Sequence, residues 1–252
     1  MARCNPEPSR GFLSAPALRG ATGGSASMPY RDSEARSGRQ AVLAAFLDAA
    51  LPAGCVWAAR ADFTCDPPLT LAERAYSDAC HPKRAAEFRA GRDCAAAALG
   101  ALGAPPGPLG RGDDRLPCWP TGFLGSITHC NGLCLAITAR EGVVSRVACD
   151  AEPNRPLPED VAPRILSRRE RAAQTASGLP DRLWFSAKEC VFKAVFPDVR
   201  GYFGFEEADV ILASTGSFEA MLSPSIAARA RVDRLTGRWV AVPEFLVTVI
   251  AN

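Results

Sequence analysis

The sequence lacks three features that would place the protein in other classes. It has no run of about 18 apolar residues, the length of a membrane-spanning helix, and its first 36 residues contain no apolar core of a secretory signal. Its 29 Lys and Arg residues nearly balance 27 Asp and Glu residues, so the net charge of +2 creates no overall field for nucleic acid or anionic membranes. We therefore expect a cytoplasmic protein with no nucleic-acid partner and no stable membrane insertion, in which any anion site is local.

Ligands for zinc are also scarce. The chain has two histidines, His81 and His129, and none of its ten cysteines forms a Cys-x-x-Cys pair. Structural zinc sites are commonly built from such pairs. A chain of 252 residues buries enough apolar surface to fold without disulfides. We expect most of the cysteines to be small buried hydrophobic side chains.

Hydrophobic periodicity is present in both halves of the chain. Helical spacing predicts helices over residues 40–51, 81–102, 161–177 and 181–196. Short apolar runs predict strands over residues 55–61, 133–139, 143–149, 208–213, 217–222, 228–235, 238–242 and 245–251. Residues 140–142 predict a hairpin turn between two of these strands. The mixture favours an α+β fold of antiparallel sheets with helices over a doubly wound parallel sheet.

The same pattern divides the chain into three parts. Residues 1–36 are predicted to be a disordered extension, because Gly, Ser, Ala and Pro dominate them without apolar periodicity. Residues 37–145 form an N-terminal half and residues 146–252 a C-terminal half, with the seam near residues 144–147. No internal sequence repeat relates the two halves.

Three acidic residues are candidates for a Mg²⁺ site. Asp150 and Glu152 follow the predicted strand 143–149, and residues two apart on extended chain project to one face. Glu189 follows on the predicted helix 181–196, four residues before Lys193. A solvated Glu189–Lys193 ion pair explains that spacing equally well. In the functional interpretation, Glu189 binds metal or acts as a base, and Lys188 and Lys193 neutralise phosphate charge.

A second group of residues could bind a phosphate. Residues 125–129, Gly-Ser-Ile-Thr-His, are predicted to form a small loop with two hydroxyls and an imidazole. Lys83, Arg84 and Arg92 lie on the Ala-rich helix 81–102, and Arg115 lies in the Pro- and Gly-rich loop that follows. Basic residues on a helix surface are more often merely solvated, and a loop histidine is more often a surface hydrogen bonder.

The order and spacing of these residues resemble the 4′-phosphopantetheinyl transferases. The resemblance spans residues 69–205. Within the family, the motifs look most like those of the branch of enterobactin synthetase component D. It rests on five separated motifs: Lys83-Arg84-x-x-Glu87-Phe88-x-x-Gly91-Arg92, Arg115-x-Pro117-x-Trp119-Pro120, Gly125-Ser-Ile-Thr-His129, Asp150-x-Glu152 and Phe185-Ser-Ala-Lys188-Glu189-x-x-x-Lys193. The chain differs from the usual pattern at Ala148-Cys149, Thr128, Phe185 and Cys190, none of which removes a ligand.

The resemblance implies a fold and a role for each residue. The fold would be two similar α+β halves related by a pseudo-two-fold axis, with the active site between them. Mg²⁺ would be bound by Asp150, Glu152 and Glu189. Coenzyme A would be bound by Lys83, Arg84, Arg92, Arg115, Thr128, His129, Lys188 and Lys193. Glu189, Lys193 and His129 would be catalytic, with Glu189 as the base.

The resemblance also implies the reaction. The expected activity is Mg²⁺-dependent transfer of 4′-phosphopantetheine from coenzyme A to a serine of an apo peptidyl, aryl or acyl carrier protein, with release of 3′,5′-ADP. The branch favours siderophore or other secondary-metabolite synthesis, and we expect a monomer. Two alternatives are a non-catalytic module that binds coenzyme A or carriers, and another Mg²⁺-dependent phosphoryl enzyme.

Overall fold

Two antiparallel sheets form the framework of the protein. The computed structural model describes residues 13–14 and 34–252. The first sheet has the order β1-β2-β4-β3, with β1 (Leu13–Ser14), β2 (Cys55–Arg60), β3 (Phe123–Cys130) and β4 (Leu133–Arg140). The second has the order β5-β9-β8-β7-β6, with β5 (Val147–Pro153), β6 (Ala208–Ala213), β7 (Ser217–Leu222), β8 (Arg234–Ala241) and β9 (Phe245–Ala251). The predicted α+β fold class is confirmed.

Helices pack against both sheets. In the described residues they are α1 (Glu34–Ala50), α2 (Leu71–Ala79), α3 (Pro82–Ala101), α4 (Ala162–Ile165), α5 (Arg168–Ser177), α6 (Asp181–Val199) and α7 (Pro224–Ala230). Helix α3 covers the first sheet through alanines such as Ala90 and Ala98, whose small side chains allow close approach. Helix α6 covers the second sheet through Trp184, Val191 and Val195. None of these helices is both long and apolar enough to cross a lipid bilayer.

The two sheets meet along β3 and β5. Ser126 Oγ accepts a hydrogen bond from the Cys149 N–H at 3.1 Å, and Thr128 Oγ1 accepts one from the Ala151 N–H at 3.0 Å. All four groups are buried. The strands of different sheets are therefore joined by side-chain hydroxyls, and Asp150 lies between the two bonded amides.

The structure corrects three predictions near this seam. The predicted hairpin over residues 133–149 is wrong, because β4 pairs with β2 and β3 whereas β5 pairs with β9. Residues 125–129 are not a loop but part of β3. Gly125 is required there for packing, since a Cβ atom would lie 2.7 Å from Ile137 O and from the Trp119 ring. Asp150 and Glu152 lie within β5 rather than after a strand.

Two further predictions are wrong in the C-terminal half. The helix predicted over residues 161–177 is divided, because Ser167 caps a new helix by accepting from the Glu170 N–H. The strand predicted over residues 228–235 is replaced by α7 and the start of β8, and Ser223 caps that helix. The strands predicted over residues 208–213, 217–222 and 245–251 are confirmed.

Most of the predicted N-terminal extension lies outside the described residues. Within it, Leu13 and Ser14 pair antiparallel with Ala59 and Ala58, so β1 adds a short edge to the first sheet. Helix α1 begins at Glu34, earlier than predicted.

Candidate active site

The candidate site lies where α6 crosses the seam between the two sheets. Strand β5 supplies Asp150 and Glu152, and α6 supplies Glu189 and Lys193. Ser186 lies on the same face of α6, because positions i, i+3 and i+7 of a helix align. Ser186 belongs to the motif that begins at Phe185, but the motif predicts no role for it.

Asp150 is the most extensively hydrogen-bonded member of the site. Its side chain is buried, and Lys193 Nζ donates to Oδ1 at 2.7 Å. The Ser186 hydroxyl donates to Oδ2 at 2.9 Å, and the Thr128 hydroxyl lies 3.4 Å from Oδ1. Lys193 also donates to the Cys149 carbonyl at 3.1 Å. Burial lowers the pKa of Lys193, but the Asp150 carboxylate outweighs this effect and raises the pKa above its ordinary value.

The other two carboxylates are less well neutralised. Arg182 donates to Glu152 Oε2 at 2.9 Å. Burial and the charge of Asp150 nevertheless raise the pKa of Glu152. Glu189 has no hydrogen-bond or ion-pair partner in the part of the chain that the structure describes. Burial, followed by repulsion from Asp150, raises the pKa of Glu189 to about 7, although Lys193 opposes this effect.

This donor set fits a cation that completes its coordination with other ligands. Across residues 34–252 and strand β1, no group of three or more His, Cys, Asp or Glu side chains is arranged so that it could hold a metal ion by itself. Mg²⁺ needs no such group, because it keeps several waters and binds through one or two carboxylates together with substrate phosphates. The excess negative charge around Glu189 is therefore compatible with Mg²⁺, and the arrangement does not resemble a structural zinc site.

His129 lies beside a charged cluster at the start of α3. Arg84 Nη1 is 2.7 Å from His129 Nε2, and Glu87 Oε2 is 3.7 Å from Nδ1. Burial is the main cause that lowers the pKa of His129. A neutral ring accepts from Arg84 at Nε2 and carries its proton at Nδ1, facing Glu87. Lys83 is more exposed and lies 4.0 Å from Glu87.

Thr128 is not positioned as predicted. Its side chain is buried, and its hydroxyl accepts from the Ala151 N–H while lying close to Asp150. The hydroxyl proton can serve only one acceptor. Thr128 therefore supports the seam and lies beside Asp150, and its contact with a coenzyme A phosphate stays a prediction.

Lys188 faces away from the other charges of the site. Its ammonium is 2.8 Å from Glu170 and also donates to the carbonyls of Ile165 and Phe205. The side chain is only 2% exposed. An ammonium has three N–H groups, and these partners use all of them. Lys188 thus forms a buried ion pair in this structure, and its contact with a phosphate stays a prediction.

Arg92 is also engaged within the fold. Its Nε donates to Glu73 Oε1 at 2.6 Å, and its Nη2 donates to the Gly110 carbonyl at 3.3 Å. The guanidinium also packs over the Phe88 ring. The Arg92 side chain is 7% exposed. It joins α3 to α2 through Glu73 and to the loop after α3 through Gly110, and its contact with coenzyme A stays a prediction.

Arg115 lies in the loop between α3 and β3. It is exposed and has a left-handed backbone conformation, with φ of 68°. Its N–H donates to the Gly112 carbonyl at 2.9 Å, closing a tight turn. The neighbouring Asp114 forms an ion pair with Arg200 at the end of α6, which ties this loop to the C-terminal half.

A cavity of about 180 Å³ lies beside Glu189. Its walls include the aromatic side chains of Phe192, Tyr202, Phe203 and Phe205. The motifs do not predict this cavity, because three of its four aromatic side chains lie on the segment after α6. The alternation of Tyr202, Phe203 and Phe205 with glycines was the one available signal.

Comparisons with known proteins agree with the resemblance of the motifs. The model of the 4′-phosphopantetheinyl transferase N-terminal domain matches residues 72–139, and that of the 4′-phosphopantetheinyl transferase superfamily matches residues 146–243. The chain is 43% identical to the 4′-phosphopantetheinyl transferase Svp of Streptomyces mobaraensis, over 74% of this chain and 80% of the relative.

Two other relatives are similar over about two thirds of this chain. Identity to the 4′-phosphopantetheinyl transferase PptT of Mycobacterium tuberculosis is 38%, over 67% of this chain and 79% of the relative. Identity to enterobactin synthase component D of Salmonella typhi is 35%, over 67% of this chain and 72% of the relative.

Proposed function

The chain belongs to the 4′-phosphopantetheinyl transferase superfamily, a family of transferases that modify carrier proteins, and from this premise we propose that Asp150, Glu152 and Glu189 are its Mg²⁺ ligands. The observation that supports this proposal best is that Asp150 and Glu152 lie two residues apart on β5, which packs against the helix α6 that carries Glu189. Burial, followed by repulsion from Asp150, raises the pKa of Glu189 to about 7. When bound, Mg²⁺ would supply positive charge to the pyrophosphate of coenzyme A.

The reaction joins the carrier serine oxygen to the β-phosphorus of coenzyme A. The bond from that phosphorus to the bridging oxygen breaks, and 3′,5′-ADP leaves with this oxygen. Glu189 is the proposed base, which accepts the serine proton directly or through a water. Lys193 donates to Asp150 and to the Cys149 carbonyl, so one of its three N–H groups remains for a phosphate oxygen.

The charged cluster at the start of α3 is the proposed site of the coenzyme A phosphates remote from the reacting bond. The Arg84 side chain is 48% exposed, and its guanidinium has five N–H donors of which His129 takes one. The remaining donors can bind a phosphate in the two-point geometry that arginine favours. Lys83 and the exposed Arg115 add positive charge around this anion.

The aromatic cavity beside Glu189 is suited to the phosphopantetheine arm. The arm is uncharged beyond its phosphate, and its dimethyl and methylene groups would gain from contact with Phe192 and Phe203, whereas its hydroxyl and two amides need polar partners. Its phosphate end would then lie near Glu189, at the reacting bond.

The proposed partner is the apo carrier domain of a siderophore or other secondary-metabolite synthetase. The motifs and the relative in Salmonella typhi, enterobactin synthase component D, support this assignment. The expected monomeric state and the cytoplasmic location stay predictions.

The test incubates the protein with coenzyme A, Mg²⁺ and an apo peptidyl carrier, and follows the carrier by mass spectrometry. Wild type should add one phosphopantetheine, whereas Asp150→Asn should lower the rate by at least about 100-fold in limiting Mg²⁺, and added Mg²⁺ should restore part of it. Asp209→Asn is the matched control, since Asp209 lies on the exposed face of β6 and pairs with Arg169.

Three outcomes would contradict the proposal. A folded Asp150→Asn protein with wild-type rate would remove the metal assignment. Coenzyme A binding without carrier modification would indicate the non-catalytic module. Release of phosphate without a carrier would indicate a phosphohydrolase.

A further inference from the structure

A chain of buried hydroxyl groups leads from β9 to Asp150. Thr248 lies directly opposite Asp150 in the register of β9 and β5, so both side chains project to the face of the sheet that α6 covers. Ser186 of α6 lies between them. Its hydroxyl is 2.9 Å from Asp150 Oδ2 and 3.0 Å from Thr248 Oγ1. Ser186 and Thr248 have no exposed surface.

The chemistry of these groups fixes the direction of the hydrogen bonds. A carboxylate only accepts, so the single proton of Ser186 is used for Asp150. Thr248 must then be the donor, either to Ser186 Oγ at 3.0 Å or to the Ser186 carbonyl at 3.1 Å. When the Thr248 proton points to Ser186 Oγ, it polarises the Ser186 hydroxyl and strengthens the bond to Asp150. When it points to the Ser186 carbonyl, it holds the backbone of Ser186 in place instead.

The relay also limits how Asp150 can turn. Lys193 and Thr128 approach Oδ1, and Ser186 approaches Oδ2. A carboxylate has about four acceptor positions, so three donors leave about one for another partner. Without Ser186, no donor would hold Oδ2, and the carboxylate could rotate about its Cβ–Cγ bond.

We infer that Ser186 and Thr248 are positioning residues that orient the Asp150 carboxylate for Mg²⁺, with Thr248 acting through Ser186. Groups that hydrogen-bond to a metal ligand commonly change metal affinity by about 10- to 100-fold. This inference rests on the proposed function, because it takes Asp150 to be a metal ligand. It adds a residue on β9, outside every motif of the sequence analysis.

The experiment measures Mg²⁺ affinity without turnover. Mg²⁺ alone is titrated into the metal-free protein, and the concentration that half-saturates the rise in thermal stability is determined. We expect this concentration to increase about 10-fold in Ser186→Ala and about 3-fold in Thr248→Val, because the effect weakens along the relay. Thr248→Ser keeps the hydroxyl and should restore wild-type affinity.

Thr138→Val is the matched control. Thr138 is as deeply buried on β4, and its hydroxyl donates to the Val56 carbonyl at 3.5 Å, far from Asp150 in the topology. This variant should lose stability without a change in Mg²⁺ affinity. Steady-state kinetics should agree: at limiting Mg²⁺ the two relay variants should be slow, and at saturating Mg²⁺ the KM for coenzyme A should equal that of wild type.

The relay is overturned if folded Ser186→Ala and Thr248→Val bind Mg²⁺ as tightly as wild type. It is also overturned if Thr248→Ser is as impaired as Thr248→Val, since shape rather than the hydroxyl would then matter. Should Thr248→Val not fold, Ser186→Ala and Thr248→Ser decide the question. If Asp150→Asn itself leaves Mg²⁺ affinity unchanged, the proposed metal site fails as well. If Asp150→Asn lowers Mg²⁺ affinity but Ser186→Ala and Thr248→Val do not, the metal site stands and only the relay is removed.

Discussion

Replacing Lys188 by methionine tests whether this lysine serves the fold or the ligand. Methionine retains the length and apolar character of the lysine stem, but it removes the charge that faces Glu170 at 2.8 Å. Breaking one partner of a buried ion pair costs about 3–5 kcal/mol, because the other charge is left uncompensated. Glu170 keeps two backbone donors, the N–H groups of Ser167 and Val210, so we expect a loss near about 3 kcal/mol.

The assay is thermal and urea unfolding of the metal-free protein. For a chain of this length, about 3 kcal/mol corresponds to a fall in Tm of roughly 6–12 °C. Arg169→Met is the matched control, since Arg169 forms an exposed ion pair with Asp209 and its loss should cost less than about 0.5 kcal/mol. Adding Glu170→Gln to Lys188→Met should recover part of the stability, because the unpaired charge is then removed.

The reasoning would be refuted by a Lys188→Met protein as stable as the Arg169→Met control. If that protein also bound coenzyme A several-fold more weakly, Lys188 would be a phosphate ligand, as the sequence motif indicates. In the structural interpretation, the KM for coenzyme A of the folded variant stays within about twofold of wild type at low temperature.

Three other predictions concern the charged groups and the N-terminus. In EDTA, the unfolding free energy of Glu189→Gln should equal that of wild type below pH 4.5 and exceed it increasingly as the pH rises to 7. The raised pKa of Glu189 makes its ionisation unfavourable in the folded protein, so the gain at pH 7 is at most about 3 kcal/mol. An equal gain at pH 4 would contradict this prediction. Arg84→Ala should raise the KM for coenzyme A more than it lowers kcat, and wild type that used 3′-dephospho coenzyme A equally well would exclude that contact. Deleting residues 1–27 removes β1 but none of the described site residues, so transfer activity should persist. The unfolding free energy should fall by about 1–2 kcal/mol, because the pairing of β1 with β2 is lost. A loss of transfer activity would contradict this prediction.

Local patterns predicted the regular parts of the fold. Strands β6, β7 and β9 were found with their bounds, because apolar runs there are separated by turn residues such as Gly216. Helix α3 was found within one residue at each end, since Pro82 at its start and the alanine content are local signals. Strand β3 was missed because its Gly125 is a poor strand former and its polar Ser126, Thr128 and His129 hide the apolar pattern; the Ser126 and Thr128 hydroxyls are used at the seam.

The site was predictable where the chemistry lies in the motif and not where it depends on distant partners. The sequence brought Asp150, Glu189 and Lys193 to one place, and the structure has them close together. Neither the burial of Lys188 nor that of Arg92 could be read from a helix pattern. Each depends on an acidic partner from another helix, and charged residues on helices are usually solvated.

The hydroxyl bonds between β3 and β5 exclude a hinge along the seam. Parting the two sheets there would leave the buried N–H groups of Cys149 and Ala151 without acceptors, at about 1–3 kcal/mol each. Coenzyme A must therefore enter and leave while the halves stay together. The loop over residues 103–122 also joins the two halves, through the exposed Asp114–Arg200 pair, while Arg92 and the buried Leu109 hold it against the first half. Exposed pairs of this kind are weak and salt-sensitive, so this connection should respond to ionic strength while the joint between the sheets does not.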